Sequence, residues 1–487
     1  MPNSVLQVAA SVYEYYPVEI IDGNLENDPW KKLEELFLTG NYFVFGCTVM
    51  PGPQLKQAIP FTKRIKEKFP HIITVWGGYF ASNQFATVIH SGFVDYIING
   101  NGDLSFPQLV NMLSGKEKMV TENIPNLIYR NQNEVVKTKK APVTDPDELP
   151  VLPYGLLEKN YPLENYLGKT FLGKKTIAYH SSFGCPFTCS FCAVVPIYEA
   201  RWKGRSAQKM YKDILFLKEK YRIDAIEFHD NNFFTSAARV VEFSRLVKDL
   251  RVKWWGEGRI DTLNKYKDEE LQLMKEAGCE MIFLGAETGN DDLLKQMDKG
   301  GTQTGKGILE FADRMKKVGI IPEFSFVLGF PGKNENDTWR QIKEDVEFIR
   351  KIKKINPGSE IIIYVYSPVP VEGSELYEKV KATGFVFPEK LEDWLDEKWI
   401  KFDLRKNPFT PWLTPSMISY IKNFETVLNG YYPTVSDTRI RNGKRKTLRA
   451  VSALRYTSGF YSFPLEIKFL HKIWKYRQPE EQGFYAE

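Results

Sequence analysis

The chain has 487 residues, 43% of them hydrophobic and 14% aromatic, which excludes a disordered or fibrous protein and calls for more than one ordinary core. Its 66 Lys and Arg against 61 Asp and Glu leave a formal charge of +5, too near balance to imply a nucleic-acid partner. No apolar run approaches the roughly 18–20 residues that cross a bilayer, and the start, MPNSVLQVAASVYEYY, lacks the basic segment of a secretory leader. A reducing, cytoplasmic location is expected, where clustered cysteines more often bind metal or do redox chemistry than form disulfides.

Residues 1–140 alternate short apolar runs with amphipathic stretches. PVEIID (17–22), YFVFGC (42–47), IITVWGG (72–78) and VDYIING (94–100) read as strands buried on both faces. Between the first two, DPWKKLEELFLTG offers Asp28 as N-cap, Pro29 at the first helical position and Gly40 as the stop. QLKQAIPFTKRIKEKF and LSFPQLVNMLSG read as the next helices. This alternation predicts an α/β domain with a doubly wound, Rossmann-like parallel sheet. Ligands bind such sheets at the carboxyl ends of the strands. Here those ends read Gly46-Cys47-Thr48-Val49, Gly77-Gly78 and Gly100-Asn101, where a large flat ligand can approach the backbone. The alternative is that these glycines only turn strand into helix.

KAPVTDPDELPVLPYGLLEKNYP (140–162) is Pro- and Asp-rich without a sustained period, and residues 141–173 read as a linker. From 174 to 375 a second βα series begins. Its strand candidates are KTIAYH (175–180), IDAIEFHD (223–230), VKWWGEG (252–258), EMIFLGAE (280–287), IPEFSFVLGF (321–330) and EIIIYVYSP (360–368). Amphipathic helices separate them; SAQKMYKDILFLKEKY has Met210, Ile214 and Leu217 at helical spacing. Six βα units are too few for a closed eight-stranded barrel and predict an open, partial (β/α)6 TIM barrel, with its site at the carboxyl ends of the strands. Residues 376–487 lose the alternation and become helical, aromatic and basic, with Arg439, Arg441, Lys444, Arg445, Lys446, Arg449 and Arg455 close together.

Three of the five cysteines fall in SSFGCPFTCSFCAVVP, as Cys185, Cys189 and Cys192, just after the first strand of the second series. Structural zinc needs four ligands, usually as two separated pairs. No second CxxC exists, Cys279 reads as a core cysteine, and His180 at a strand end reads as packing or site lining. A thioredoxin-like pair would leave Cys185 unexplained. A 4Fe–4S cluster held by three thiolates fits better, since cluster irons take cysteine sulfur and the fourth iron stays open.

The triplet, with Phe191 before its last cysteine, resembles the signature of the radical S-adenosylmethionine (SAM) enzymes. The resemblance covers about 174–377. In that family the open iron chelates SAM, and an electron from the cluster cleaves it to methionine and a 5′-deoxyadenosyl radical. FHDNNFF (228–234), containing Asp230, resembles the segment that touches the methionyl amino group. GEGRID (256–261) offers Arg259 for the SAM carboxylate. LGAETGNDDLL (284–294) resembles the fourth-strand motif whose glutamate, here Glu287, contacts SAM. SFVLGFPGKNENDT (325–338), with Ser325 and Gly329, resembles the turn near adenine, and YSPVPVEGSELY (366–377) the sixth segment.

Residues 1–140 are similar to the cobalamin-binding domain that precedes many such enzymes, especially in VWGGYFAS and VDYIINGNGDLSFPQLV. The resemblance implies that Gly46, Cys47, Thr48, Val49, Gly77, Gly78, Gly100 and Asn101 line the corrinoid. No D-x-H-x-x-G occurs, so no familiar histidine reaches cobalt, and residues near Cys47–Met50 would face the metal. The family usually has a strand ahead of the helix at NSVLQVAASVYE, where this chain begins.

The implied function is radical SAM chemistry, with cobalamin-dependent methylation of an unactivated carbon as the first reading. A cyclisation, rearrangement or C–C coupling on the same architecture is the second, and a non-catalytic iron–sulfur protein the third. The implied partners are a small-molecule or lipid-like substrate and a reductant such as flavodoxin or ferredoxin. The basic tail reads either as a helical lid or as a peripheral membrane contact.

Overall fold

The computed structural model describes residues 1–297, 302–366, 375–400 and 410–477. They divide into two compact units: Met1–Tyr166 with His180–Arg205 and Pro368–Asp403, and Leu167–Tyr179 with Ser206–Ser367 and Leu404–Glu487. The second unit therefore gives up the segment that carries the cysteine triplet to the first.

The first unit is built on strands β1 (Val44–Thr48), β2 (Ile73–Gly77), β3 (Tyr96–Ile98), β4 (Leu127–Asn131) and β5 (Glu134–Lys137), in that spatial order. β1, β2 and β3 run parallel, with Thr48 opposite Gly77 and Trp76 opposite Ile97, so their carboxyl ends share one edge. Alternate residues of β2 bury on opposite faces. Val75 joins Ile98, Leu109, Ile124 and Leu127 beneath the helix Gly102–Leu113. The indole of Trp76 donates to Thr62 Oγ1 (3.0 Å) in the helix Leu55–Lys68 on the other face. The helix Pro29–Leu38 is capped as its sequence predicts, with Lys31 N donating to Asp28 Oδ1 (3.0 Å).

Two features of this sheet differ from the expectation. PVEIID is not a strand. Side chains tie it down instead: Asp22 N donates to the Tyr161 hydroxyl (3.1 Å) and Asp22 Oδ1 accepts from Asn24 N (2.9 Å). The far edge carries an antiparallel hairpin, β4 and β5, whose turn places Gln132 at φ +54°.

In the second unit all six expected barrel strands are present: β6 (Thr176–Tyr179) and, beyond a short hairpin β7 (Ser182–Gly184) and β8 (Trp202–Gly204) that belongs to the first unit, β9 (Ala225–Phe228), β10 (Lys253–Gly258), β11 (Cys279–Glu287), β12 (Ile321–Leu328) and β13 (Glu360–Val365). They form one parallel sheet in the order β13-β12-β11-β10-β9-β6, an open partial barrel. One face of each strand packs on helices. Phe228, Trp254, Ile282, Leu284, Phe324 and Ile361 are buried there, as are Met210, Ile214 and Leu217 of the helix Ala207–Tyr221. The opposite face lines the barrel interior with Glu227, Trp255, Glu257, Phe283 and Glu323, as the register requires. Cys279 is fully buried at the start of β11, a core cysteine as expected. The remaining chain forms helices Pro415–Tyr431, Asn442–Ser458 and Leu465–Ile473. Among the described residues no helix is long and apolar enough to cross a membrane.

Candidate functional site

The cysteine triplet sits on a loop closed by its own hairpin. β7 and β8 pair antiparallel, with Ser182 opposite Gly204 and Gly184 opposite Trp202, and Arg205 N adds a hydrogen bond to Ser181 O (2.7 Å). Gly184, immediately before Cys185, has φ +73°, and a Cβ there would lie 2.1 Å from the Arg201 carbonyl oxygen. Only glycine lets the two ends of the loop approach this closely. Inside the loop Cys192 N donates to Cys189 O (3.0 Å) and Val195 N to Cys192 O (3.1 Å), which leads into the helix Val195–Tyr198. Glu199 and Ala200 both adopt left-handed backbone and turn the chain back toward β8.

This loop is tied to the segment that follows β5, within the first unit. Lys140 Nζ donates to Pro196 O and Ile197 O, both at 2.6 Å, capping the carbonyls of the short helix. Burial lowers the Lys140 pKa to about 8. Arg201 Nη1 donates to Ala141 O (2.7 Å) and Arg205 Nη2 to Pro146 O (3.3 Å). Tyr79, in the helix that follows β2, is near enough to Cys192 for a thiolate there to add to the burial that raises its phenol.

The three thiols are reduced, with Cys189 buried and Cys185 and Cys192 partly exposed. Among the described residues no three His, Cys, Asp or Glu side chains are gathered closely enough to hold a single metal ion. Three cysteines on one hairpin-closed loop are a donor set that fits an iron–sulfur cluster, whereas structural zinc takes four ligands.

The residues expected to line a corrinoid come together at the carboxyl edge of β1–β3. Cys47 and Thr48 end β1, Val49 is buried beyond it, Gly77 ends β2, Gly78 opens the next helix, and Gly100-Asn101 follow β3. Gly46 lies within β1 itself. Gly78 has φ +81°, and a Cβ there would meet Thr48 Oγ1 at 2.3 Å. Burial pushes the Cys47 thiol up to about 12, so it stays protonated at neutral pH. The turns and helices that follow these strands hold polar side-chain atoms that are buried and have no hydrogen-bond partner: Ser82 Oγ and Asn83 Oδ1 after β2, and Asn99 Oδ1, Asn101 Nδ2 and Asp103 Oδ2 after β3. Buried polar atoms left unmatched are costly, and a ligand rich in amide groups would match these. Sequence reasoning named only Asn101 among the five.

In the second unit the expected SAM contacts lie at or just beyond successive strand ends. Asp230 is fully buried after β9. Arg259 follows β10 and is held by Asp261, with Nε to Oδ1 at 3.0 Å and Nη2 to Oδ2 at 2.9 Å. Thr302 Oγ1 also donates to Asp261 Oδ2 (2.6 Å). Glu287 ends β11 at φ +63°, buried, beside a register shift against β12. The next turn is tied to Asp345, which accepts from Thr288 Oγ1 (2.7 Å) and Gly289 N (3.0 Å); burial pushes its carboxyl up to about 7. Gln303 Nε2 donates to the carbonyls of Gly285 and Ala286 (3.0 and 3.1 Å). Ser325 lies deeper in β12, opposite Gly285, and Gly329 follows β12 with its carbonyl accepting from Trp412 Nε1 (2.9 Å). Phe191 lies in the cysteine loop of the first unit. Residues 367–374 of the sixth segment fall outside the described residues.

Two groups escaped the sequence reading. Asn232, two residues past Asp230, is fully buried with both side-chain amide atoms unmatched. Inside the barrel His229 faces Glu227 (Nε2 to Oε2, 3.4 Å) and Glu257 (Nδ1 to Oε1, 3.8 Å). Burial opposes the charged imidazole, but Glu227, Glu257 and Asp230 outweigh it and raise its pKa. Burial also pushes Glu257 up to about 7, against the pull of His229. His180 is exposed just past β6, so it does not serve as a packing residue.

Residues 179–345 match the model of the Radical SAM superfamily. The chain is 26% identical to an uncharacterised methyltransferase of Pyrococcus horikoshii over 72% of this chain and 73% of that protein. It is 25% identical to the anaerobic magnesium-protoporphyrin IX monomethyl ester cyclase of Rubrivivax gelatinosus over 92% and 77% respectively. Among solved structures, the radical SAM methyltransferase TsrM of Kitasatospora setae, with cobalamin and a [4Fe-4S] cluster bound, matches with a TM-score of 0.64 at 16% identity, over 97% of this chain and 96% of that one. At that identity the likeness is one of fold.

Proposed function

We propose that this chain, a radical SAM enzyme through residues 179–345, is a cobalamin-dependent methyltransferase acting on an unactivated carbon of a small molecule. The observation that carries the reading is in the first unit: the hairpin-closed cysteine loop is tied to the segment after β5 of a sheet whose carboxyl ends bear glycines and lead into turns and helices with five unmatched buried polar atoms. When bound, the cluster supplies one electron to SAM and cobalamin supplies a methyl group. The chain supplies the rest. Cys185, Cys189 and Cys192 would hold the cluster as thiolates, with Phe191 beside Cys192 in the same loop contributing to the SAM site. Arg259, its guanidinium plane fixed by Asp261, takes the SAM carboxylate as a two-pronged pair. Glu287 and Asp230 accept from its amino group, and Ser325 and Gly329 line the adenine. Gly46, Cys47, Thr48, Val49, Gly77, Gly78, Gly100 and Asn101 form the corrinoid cradle, with Ser82, Asn83, Asn99 and Asp103 taking its amide groups.

In this reading residues 1–140 are the cobalamin segment, 141–173 a linker, 174–375 the radical segment and 376–487 a helical region. The reductant is a small electron carrier of the flavodoxin or ferredoxin kind. The likeness to a cyclase over 92% of this chain favours a second reading, C–C bond formation or cyclisation without methyl transfer. Anaerobic protein supplied with cobalamin and SAM labelled in its methyl group separates the two. Label carried into a small-molecule product of a cell extract supports methylation; SAM cleavage with no labelled product rejects it.

A further inference from the structure

The C-terminal helices carry a surface that neither the cluster nor the SAM residues use. Between Arg439 and Arg477 there are eleven Lys and Arg and one acid, Glu466. The helix Leu465–Ile473 buries Ile467 and His471 on one side, while Leu465, Phe469 and Ile473 line the opposite, outward side at helical spacing. The turn before it adds Phe460 and Phe463. These five large apolar side chains are each between 56% and 77% exposed. Lys468 and Lys472 flank the apolar stripe, and Lys446, Arg449 and Lys475 are also exposed. Monomeric proteins rarely leave a contiguous apolar patch of this kind in water without a use for it.

The turn is built rather than loose. Arg455 donates to Ser462 O (2.7 Å) and Phe463 O (3.1 Å) and pairs with Glu466, which neutralises the one acid. Phe463 is held at φ +48°, a backbone region that costs a bulky residue energy. Apolar side chains projected outward from a strained, pinned turn and flanked on one side by lysines suit an interface that is apolar below and anionic at its surface.

We propose that this face docks on a lipid bilayer bearing anionic headgroups, with Phe460, Phe463, Leu465, Phe469 and Ile473 entering the headgroup–acyl boundary and the lysines meeting the lipid charge. The assignment does not depend on the reaction catalysed. The test is sedimentation of the full chain with phosphatidylcholine vesicles containing phosphatidylglycerol, against phosphatidylcholine alone. The expected result is salt-sensitive binding to the anionic vesicles only. Replacing Lys446, Lys472 and Lys475 by Gln should weaken it about a hundredfold, at about fivefold per cation near an anionic surface. Phe463→Ser with Phe469→Ser should abolish it while the circular-dichroism spectrum stays unchanged, since both side chains are exposed. Absence of binding to anionic vesicles overturns the proposal, as does binding that neither variant alters. It is also overturned if the double Ser variant turns a dimer into a monomer, which makes the face an interface between copies. Vesicle binding that appears only after residues 478–487 are removed overturns it too, by naming that segment as the occupant.

Discussion

Replacing Gly184 by alanine is expected to prevent cluster assembly while leaving the chain folded. The added Cβ would stand 2.1 Å from the Arg201 carbonyl oxygen and 3.0 Å from the Tyr198 ring. An ordinary C···O contact needs roughly 3.3 Å, so the Arg201 carbonyl must retreat by about 1 Å. It cannot do so alone, because the next residue, Trp202, pairs with Gly184 in the three-residue hairpin that closes the loop. The left-handed backbone at φ +73° costs an alanine a further ~1–2 kcal/mol. With one lost ladder bond at about 1 kcal/mol, the cluster-holding loop conformer falls by about 2–3 kcal/mol, a factor of roughly 30–150 in its population. Gly184 lies in a two-stranded sheet separate from the five- and six-stranded ones, so the melting temperature should move by only a few degrees. The assay is iron and sulfide per chain after anaerobic reconstitution, over a series of iron concentrations. A variant that loads iron as readily as the parent would refute the view that loop closure at Gly184 positions the cysteines.

The other predictions concern single groups. Cys185→Ala, Cys189→Ala and Cys192→Ala should each abolish cluster loading, whereas Cys279→Ala, in the core of β11, should keep full iron content; iron analysis decides. Glu287→Gly removes a carboxylate but relieves a left-handed backbone worth about 1 kcal/mol. It should therefore melt no lower than the parent yet bind SAM at least about tenfold more weakly, by calorimetric titration; unchanged affinity removes Glu287 from the site. Glu323 is buried, and burial, with Glu360 adding, raises its carboxyl to about 7 from an ordinary 4.5. A raised carboxyl contributes stability that is complete below about 4.5 and lost as pH rises through about 7. The isosteric Glu323→Gln should thus gain on the parent between pH 5 and pH 8 by up to about 3 kcal/mol. Denaturant melts that show a constant difference across that range would contradict this.

What could be read beforehand follows from where the information lies. The six barrel strands were legible because each is a short run rich in β-branched, aromatic and other apolar residues between amphipathic stretches, as a parallel sheet covered by helices requires. PVEIID has the same local look, but Pro17 has no N–H to give a ladder and Asp22 is tied to Tyr161 and Asn24 instead. The β4–β5 hairpin was missed because its turn uses Gln132 in the left-handed region rather than the Asn-Gly or Gly that announces one. The β7–β8 hairpin was missed because three residues a side carry no periodicity. In the candidate site, the triplet falls within eight residues and can be seen without the fold. Ser82, Asn83, Asn99 and Asp103 are unremarkable in sequence and become a set only when β2 and β3 end at one edge. The Arg259–Asp261 pair lay two residues apart in GEGRID and was within reach of a closer reading.

The central claim is that one chain holds an iron–sulfur cluster on three cysteines and a corrinoid at the edge of its N-terminal sheet. The most direct test is to quantify iron, sulfide, zinc and corrinoid per chain in protein produced anaerobically with cobalamin supplied. The account predicts about four iron and four sulfide per chain, all lost in Cys189→Ala, with about one corrinoid that survives that substitution. Zinc in place of iron, or iron and sulfide with no corrinoid at saturating cobalamin, would contradict it.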